Sequence, residues 1–258
     1  MNTKDQVREP FAVNPADLSE NFSGLVIRIG GNSITPRGSL TPDYEVLNGL
    51  LALTEYCATL GKTVIITCGA MGGHLFLQWA RDVKCSDALV NELGCTLLDV
   101  GSQILADHFT RSLVPRNIAC CPRPATSISD LLSLKSIFSV IMCGAAIRGA
   151  ISSDSLAILV GEATGNPVLS VKRQLPFQAS ARPSGGRVDC TTQVQLSAIQ
   201  DLINGDSLLE GAGWHHSLDI WALRLLRRPR IQLSFTDAES VKRFPITKAL
   251  AAVMKVTK

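Results

Sequence analysis

The stretch Leu25-Val26-Ile27-Arg28-Ile29-Gly30-Gly31-Asn32-Ser33 decides how the rest of the chain is read. Four branched apolar residues, interrupted only by Arg28, predict a short buried β-strand, and a glycine pair follows at once. Glycine lacks Cβ, so the backbone at Gly30 and Gly31 can approach a ligand closely. Asn32 and Ser33 add polar groups at the same turn. A parallel strand ending in such a turn is where α/β proteins place a phosphate. The same pattern also serves as a plain turn, so its meaning rests on what repeats downstream.

It does repeat. Thr63-Val64-Ile65-Ile66-Thr67 reads as a second strand, and Cys68-Gly69-Ala70-Met71-Gly72-Gly73 is a second glycine-rich exit. Between the strands, Thr41-Pro42-Asp43 predicts a helix start with Thr41 as N-cap and Pro42 at N1. Val46, Leu47, Leu50, Leu51 and Leu53 form its apolar face, and Gly61 stops it. Strand, glycine turn, helix, strand, glycine turn is the logic of a parallel βαβ unit. Two such turns at one sheet edge would converge, making Gly30, Gly31, Asn32, Gly69, Ala70, Gly72 and Gly73 the candidate phosphate-binding residues.

Further along, helices are expected over residues 74–83, 87–111, 129–134 and 156–162, and strands over 117–121, 138–143 and 168–172. Gly165-Asn166-Pro167 closes the helix before the last of these strands. Residues 173–192 change in composition, with Gly185-Gly186 and Arg173, Arg182 and Arg187, and read as a loop or hairpin over a mouth. Helices over 193–202, 215–226 and 246–254 and an edge or half-buried strand over 230–235 complete the reading. Residues 1–24 read as an irregular arm and 25–258 as one domain.

With 46% hydrophobic and 18% charged residues among 258, the chain has the material for a large folded core. A formal net charge of only +3 argues against a dedicated nucleic-acid binder, though not against one anion pocket. None of its apolar runs approaches the ~20 residues of a membrane helix. The first 23 residues are polar, without the apolar stretch of a signal peptide. The eight cysteines include no CxxC, and Cys120-Cys121 are adjacent. Reduced, mostly buried thiols in a cytoplasmic protein are therefore expected.

The order of elements resembles the amino-acid kinase superfamily, from about residue 25 to residue 250, and within it the uridylate kinase and molybdenum storage protein branch. Residues Leu25 to Gly31 resemble the family's first strand and Gly-Gly phosphate turn, and Thr67 to Gly73 its second glycine turn. Ser152-Ser153-Asp154-Ser155-Leu156-Ala157 is similar to its Thr-Thr-Asp-Ser-Ala-Ala helix start. His216-Ser217-Leu218-Asp219-Ile220-Trp221-Ala222 resembles the late helix before its Val-rich strand. The resemblance implies an α/β fold, a three-layer αβα sandwich with a mainly parallel central sheet, Rossmann-like in its logic. It also implies ATP and Mg2+ as cofactors and phosphoryl transfer, chemistry that depends on positive charge and backbone donors around the transferring group. Arg28, Asp154 and Lys172 would form the catalytic constellation, with Asp154 orienting the cations. An oligomer is implied as well, a hexamer being common in this branch.

The chain departs from the family at identifiable residues. Arg28 stands where the family has a lysine, and Arg173-Gln174-Leu175-Pro176-Phe177 replaces its Asn-Val-Asp-Gly-Val-Tyr. Met254-Lys255-Val256 replaces a C-terminal Gly-Thr strand signature, and residues 144–154 lack the long His- and Pro-rich insertion of the storage proteins.

Each candidate also has a plainer reading. Arg28 is either a phosphate contact or a buried charge paired with an acid. Asp154 either organises cations or is simply an acid at a helix N-terminus, and Lys172 either meets a ligand or is a solvated loop residue. His74, the His215-His216 pair and Cys68, Cys120, Cys121 and Cys143 lack ligand spacing, so no metal site is expected. Three function classes remain open: a nucleotide-dependent small-molecule kinase, a nucleotide- or oxoanion-binding protein without turnover, and a silent family member acting as a subunit.

Overall fold

The computed structural model describes residues 14–15, 21–36, 39–145, 147, 152–173, 191–195, 220–226, 228, 231–248, 250 and 253–257. β1 (Gly24–Ile29) is buried along its whole length, as a strand covered on both faces must be. Its side chains alternate between two apolar layers, Leu25, Ile27 and Ile29 entering one and Val26 the other. β1 pairs in parallel with β2 (Thr63–Cys68) on one side and with β4 (Val168–Lys172) on the other. β3 (Val140–Cys143) lies beyond β2; β6 (Leu233–Asp237), β7 (Val253–Thr257) and β5 (Thr191–Gln195) lie beyond β4. The sheet order is β3-β2-β1-β4-β6-β7-β5, and among the described residues only β6 with β7 is antiparallel.

Helices cover both faces. Against the Leu25 side pack α2 (Tyr44–Thr59), α4 (Asp87–Leu113) and α8 (Ala238–Thr247), and against the Val26 side α5 (Ile128–Leu134), α6 (Ser153–Thr164) and α7 (Ile220–Leu226). α1 (Gly31–Ile34) is a single turn after β1, and α3 (His74–Asp82) packs on the start of α4 through Leu77, Ala80 and Val90. α2 and α8 touch at Gly49, where a Cβ would collide with the Val241 carbonyl. The architecture is the three-layer αβα sandwich with a mainly parallel sheet that the family resemblance implied.

Several boundaries differ from expectation, each for a local reason. Residues 117–121 form no strand; Cys120 makes one isolated parallel bridge to Val140, and a second, from Ala125 to Cys143, follows beyond them. Pro122 and Pro124 lie between the two bridges and carry no N–H for a ladder. α2 starts at Tyr44, capped by Asp43, whose carboxylate accepts from Val46 N at 3.4 Å, rather than by Thr41. α6 starts at Ser153, three residues earlier than the apolar pattern indicates, because Ser152 and Ser155 form a reciprocal capping box. Residues 193–195 belong to β5, not to a helix. β6 is an interior strand buried through Thr236, not an edge. At the C-terminus, α8 ends where Lys248 turns left-handed at φ 54, and residues 253–257 form β7 instead of a helix.

The expected arm residues 1–13 and 16–20, the arginine-bearing stretch 174–190, residues 196–202, Arg37, Arg148 and His215-His216 lie outside the described residues. Among the described residues, no helix is long and apolar enough to cross a membrane.

Candidate functional site

From β1 the chain builds outward to β2 and β3, then returns to place β4 on the opposite side of β1. Open α/β sheets bind ligands outside the carboxyl ends of their strands at such a reversal. Three of the expected residues meet there.

Arg28 shares the face of Val26, so its side chain meets the start of α6 on that face, not the core of the other layer. Its Nε and Nη2 donate to Ser153 Oγ at 3.2 and 2.9 Å, and Nη2 lies 3.1 Å from Asp154 Oδ2. Lys172, the last residue of β4, donates from Nζ to both Asp154 carboxylate oxygens at 2.9 and 3.1 Å. The ammonium also sits 5.7 Å from the centre of the Phe235 ring. The three charged side chains are only 10–12% exposed. Buried charges are costly unless paired, and here two cations share one carboxylate in the first turn of a helix, where the macrodipole favours a negative charge. The three side chains together carry one net positive charge. Arg28 is thus both paired with an acid and set at the candidate site, so its two readings are compatible.

The glycine turns abut. A Cβ on Gly69 would stand 2.5 Å from Gly31 N, and one on Gly31 would stand 3.2 Å from the amides of both Ala70 and Met71. Gly30 N and Ser33 Oγ donate to Val171 O at 3.0 and 3.1 Å, tying the turn to the exit of β4. A Cβ on Gly30 would stand 2.9 Å from Arg28 Nη1. Among the described residues the amides of Gly31 and Ala70 have no hydrogen-bond acceptor. Gly30, Gly31, Gly69 and Ala70 therefore sit beside the charged cluster, with half-buried Asn32 following in α1. Gly72, at φ 76, requires a glycine, and its nearest neighbours are Thr35 and Leu40; Gly73 faces Ala70 O and Leu97. These last two shape the turn into α3.

Around this cluster the chemistry is quieter. Burial pushes the Cys68 thiol at the end of β2 up to about 11, partly opposed by its hydrogen bond with Ser102 and by Arg28. Burial likewise raises Cys143, and Cys57 to about 12, so these thiols stay protonated near neutral pH. The seven described cysteines form no disulfide. Among the described residues, no group of three or more His, Cys, Asp or Glu side chains is placed to hold a metal ion. Arg173, the next residue, meets Asp43 Oδ2 at 3.1 Å.

Sequence reasoning missed three parts of the site: Ser153 as an acceptor for Arg28, Phe235 beneath Lys172, and the pair Thr67 and Ser170. The last two flank Arg28 in register on neighbouring strands, and each has a buried hydroxyl with no hydrogen-bond partner in the structure. A charged residue between polar ones across three strands is visible only once the register is known. Ser153 had a signal, the dense hydroxyl run Ser152-Ser153-Asp154-Ser155.

This fold and this arrangement of strand ends define the class: the chain has the amino-acid kinase fold. No protein-family model matches the sequence, and no curated protein matches it. Solved structures do. Uridylate kinase from Archaeoglobus fulgidus superposes with a TM-score of 0.62 at 14% identity, covering 91% of this chain and 100% of its own. UMP kinase from Ureaplasma parvum gives 0.63 at 15% identity, covering 92% and 99%. Carbamate kinase from Giardia lamblia, solved bound to AMP-PNP, gives 0.54 at 13% identity, covering 91% and 99%.

Proposed function

We propose that the protein is a nucleotide-dependent phosphotransferase acting on a small molecule or a nucleoside monophosphate. The observation that carries this reading is the buried Arg28–Asp154–Lys172 cluster beside two abutting glycine turns. Phosphoryl transfer asks a protein for fixed positive charge and backbone donors where negative charge spreads over the equatorial oxygens. Arg28 and Lys172 supply the charge. The Gly31 and Ala70 amides supply donors with no competing acceptor among the described residues. Asp154 holds both cations in place, so little reorganisation is needed as charge builds.

The donor set fits the phosphates of ATP, which Gly30, Gly31, Gly69 and Ala70 would hold with Arg28 and Lys172. Mg2+ binds chiefly through substrate phosphates and its own waters in such sites. That suits a cluster whose one carboxylate, Asp154, is already shared by two cations. The metal would neutralise the phosphates between which the group moves.

Incubation with Mg-ATP and either UMP or carbamate, followed by 31P NMR, tests the reading. Formation of ADP with a phosphorylated acceptor, lost in Arg28→Ala while the fold is retained, supports it. A second reading, nucleotide or oxoanion binding without turnover, is favoured by the arginine at position 28, where the resembled family carries a lysine. ATP, UTP, molybdate or tungstate raising the melting temperature, with no transfer to any acceptor, would select that reading.

A further inference from the structure

An arginine guanidinium carries five N–H donors in a rigid plane. In Arg28, Nε makes one contact and Nη2 two, all turned toward α6, with Ser153 Oγ taking two of the three. Nη1 lies instead against Gly30, where the absence of a side chain leaves it uncovered by the turn. Ser153 is itself 7% exposed and is fixed at the start of α6 by the capping box of Ser152 and Ser155.

Asp154 alone would not set the angle of the guanidinium plane. It meets a single nitrogen, Nη2, and its other oxygen is engaged by Lys172. An acceptor reached by Nε and Nη2 together fixes rotation about the Cδ–Nε bond. We propose that Ser153 is a positioning residue: by accepting from Nε and Nη2 it locks the guanidinium plane and presents Nη1 to a phosphate held at the Gly31 and Ala70 amides. The site is thereby fitted to an arginine. A lysine at position 28 has no second nitrogen with which to meet Ser153 and Asp154 while also facing the Gly30 turn. The phosphate half of the inference rests on the anion-binding reading above, and the positioning half rests on geometry alone.

The test separates the two halves. Solvent exchange of the Arg28 Nε–H, followed by 15N NMR, reports the lock without any ligand, and calorimetric titration with inorganic pyrophosphate reports the presentation. Ser153→Ala should speed Nε–H exchange by about tenfold or more and weaken pyrophosphate binding by about tenfold, the scale of one hydrogen bond to a charged group. Ser153→Thr, which keeps the hydroxyl, should stay near wild type in both. In an Arg28→Lys background, Ser153→Ala should change pyrophosphate affinity no further. Should the alanine variant fail to fold, Ser153→Cys, whose thiol is a poor acceptor of similar shape, carries the same expectation. Unchanged Nε–H exchange in the alanine or cysteine variant overturns the positioning role. A lock lost on substitution, in a wild-type protein that binds no pyrophosphate at millimolar concentration, upholds the positioning half and overturns the phosphate reading.

Discussion

Asp154 is the residue on which the site depends, because its one carboxylate meets two largely buried cations. Replacing it with asparagine takes from Arg28 and Lys172 the carboxylate that they share. Removing one partner of a buried ion pair costs about 3–5 kcal/mol, so Asp154→Asn should lose stability on that scale in denaturant unfolding. Added pyrophosphate should restore part of the loss, since an anion would then supply the missing charge. A variant as stable as wild type, or one indifferent to pyrophosphate, contradicts this account. The hydroxyls flanking Arg28 give the opposite sign. Thr67 Oγ1 and Ser170 Oγ are buried without a partner in the structure, and an apolar group of the same shape avoids their desolvation cost. Thr67→Val and Ser170→Ala should therefore leave the melting temperature unchanged or raise it. A clear fall in either would show that a buried water bridges that hydroxyl.

Among the elements, the start of α2 shows what was legible in the sequence and what was not. The helix, its apolar face and its stop at Gly61 follow from spacing; the N-cap does not, because Thr41 and Asp43 are both good caps and only packing chooses. Packing chooses Asp43 by placing Lys242 of α8 and Arg173 against its carboxylate, at 3.0 and 3.1 Å. Burial works to raise the Asp43 pKa, but hydrogen bonds from Lys242, Arg173 and Val46 N outweigh it and hold the carboxyl below its usual value. A depressed folded-state pKa contributes stability above the unfolded value, and that contribution fades as the pH falls through the folded one. Asp43→Asn keeps a capping oxygen and removes only the charge, so its deficit against wild type should hold from neutral pH to about 4 and narrow below that. Asp43→Ala loses the cap as well, a further cost of about 1 kcal/mol. Thermal unfolding across that pH range checks both; a deficit for Asp43→Asn that widens toward acid contradicts the ion-pair account. The same limit explains the C-terminus. Residues 246–254 carry apolar side chains that suit either a helix or a strand, and β7 is selected by pairing with β6 and β5, which no local pattern reveals. Where a strand is buried on both faces and followed by glycine, as at β1 and β2, the sequence is unambiguous, and those two strands position the site.

At the scale of the whole molecule, the described surface carries an apolar stripe that the core does not use. On α3, Leu77 and Ala80 face inward, whereas Phe76, Trp79 and Val83 are 53%, 67% and 55% exposed. Phe76, Trp79 and Val83 follow one another at intervals of three and four residues, so they lie along one side of the helix. Val100 and Ile104 of α4 are also more than half exposed, and their spacing of four puts them together on that helix. Single exposed apolar residues need no explanation, but a stripe with two aromatic members is the composition of an interface core. A long helix with more apolar positions than its own core consumes carries the same message. The prediction is that the protein self-associates and that the α3 stripe takes part. Light scattering at micromolar concentration should report more than one chain per particle. Phe76→Glu with Trp79→Glu should shift the protein to a smaller species while its circular dichroism and melting transition persist, because neither side chain supports the core. A wild-type monomer at that concentration overturns the prediction. An assembly of unchanged size in the double variant moves the interface away from α3, leaving the exposed side of α4 as the next surface to substitute.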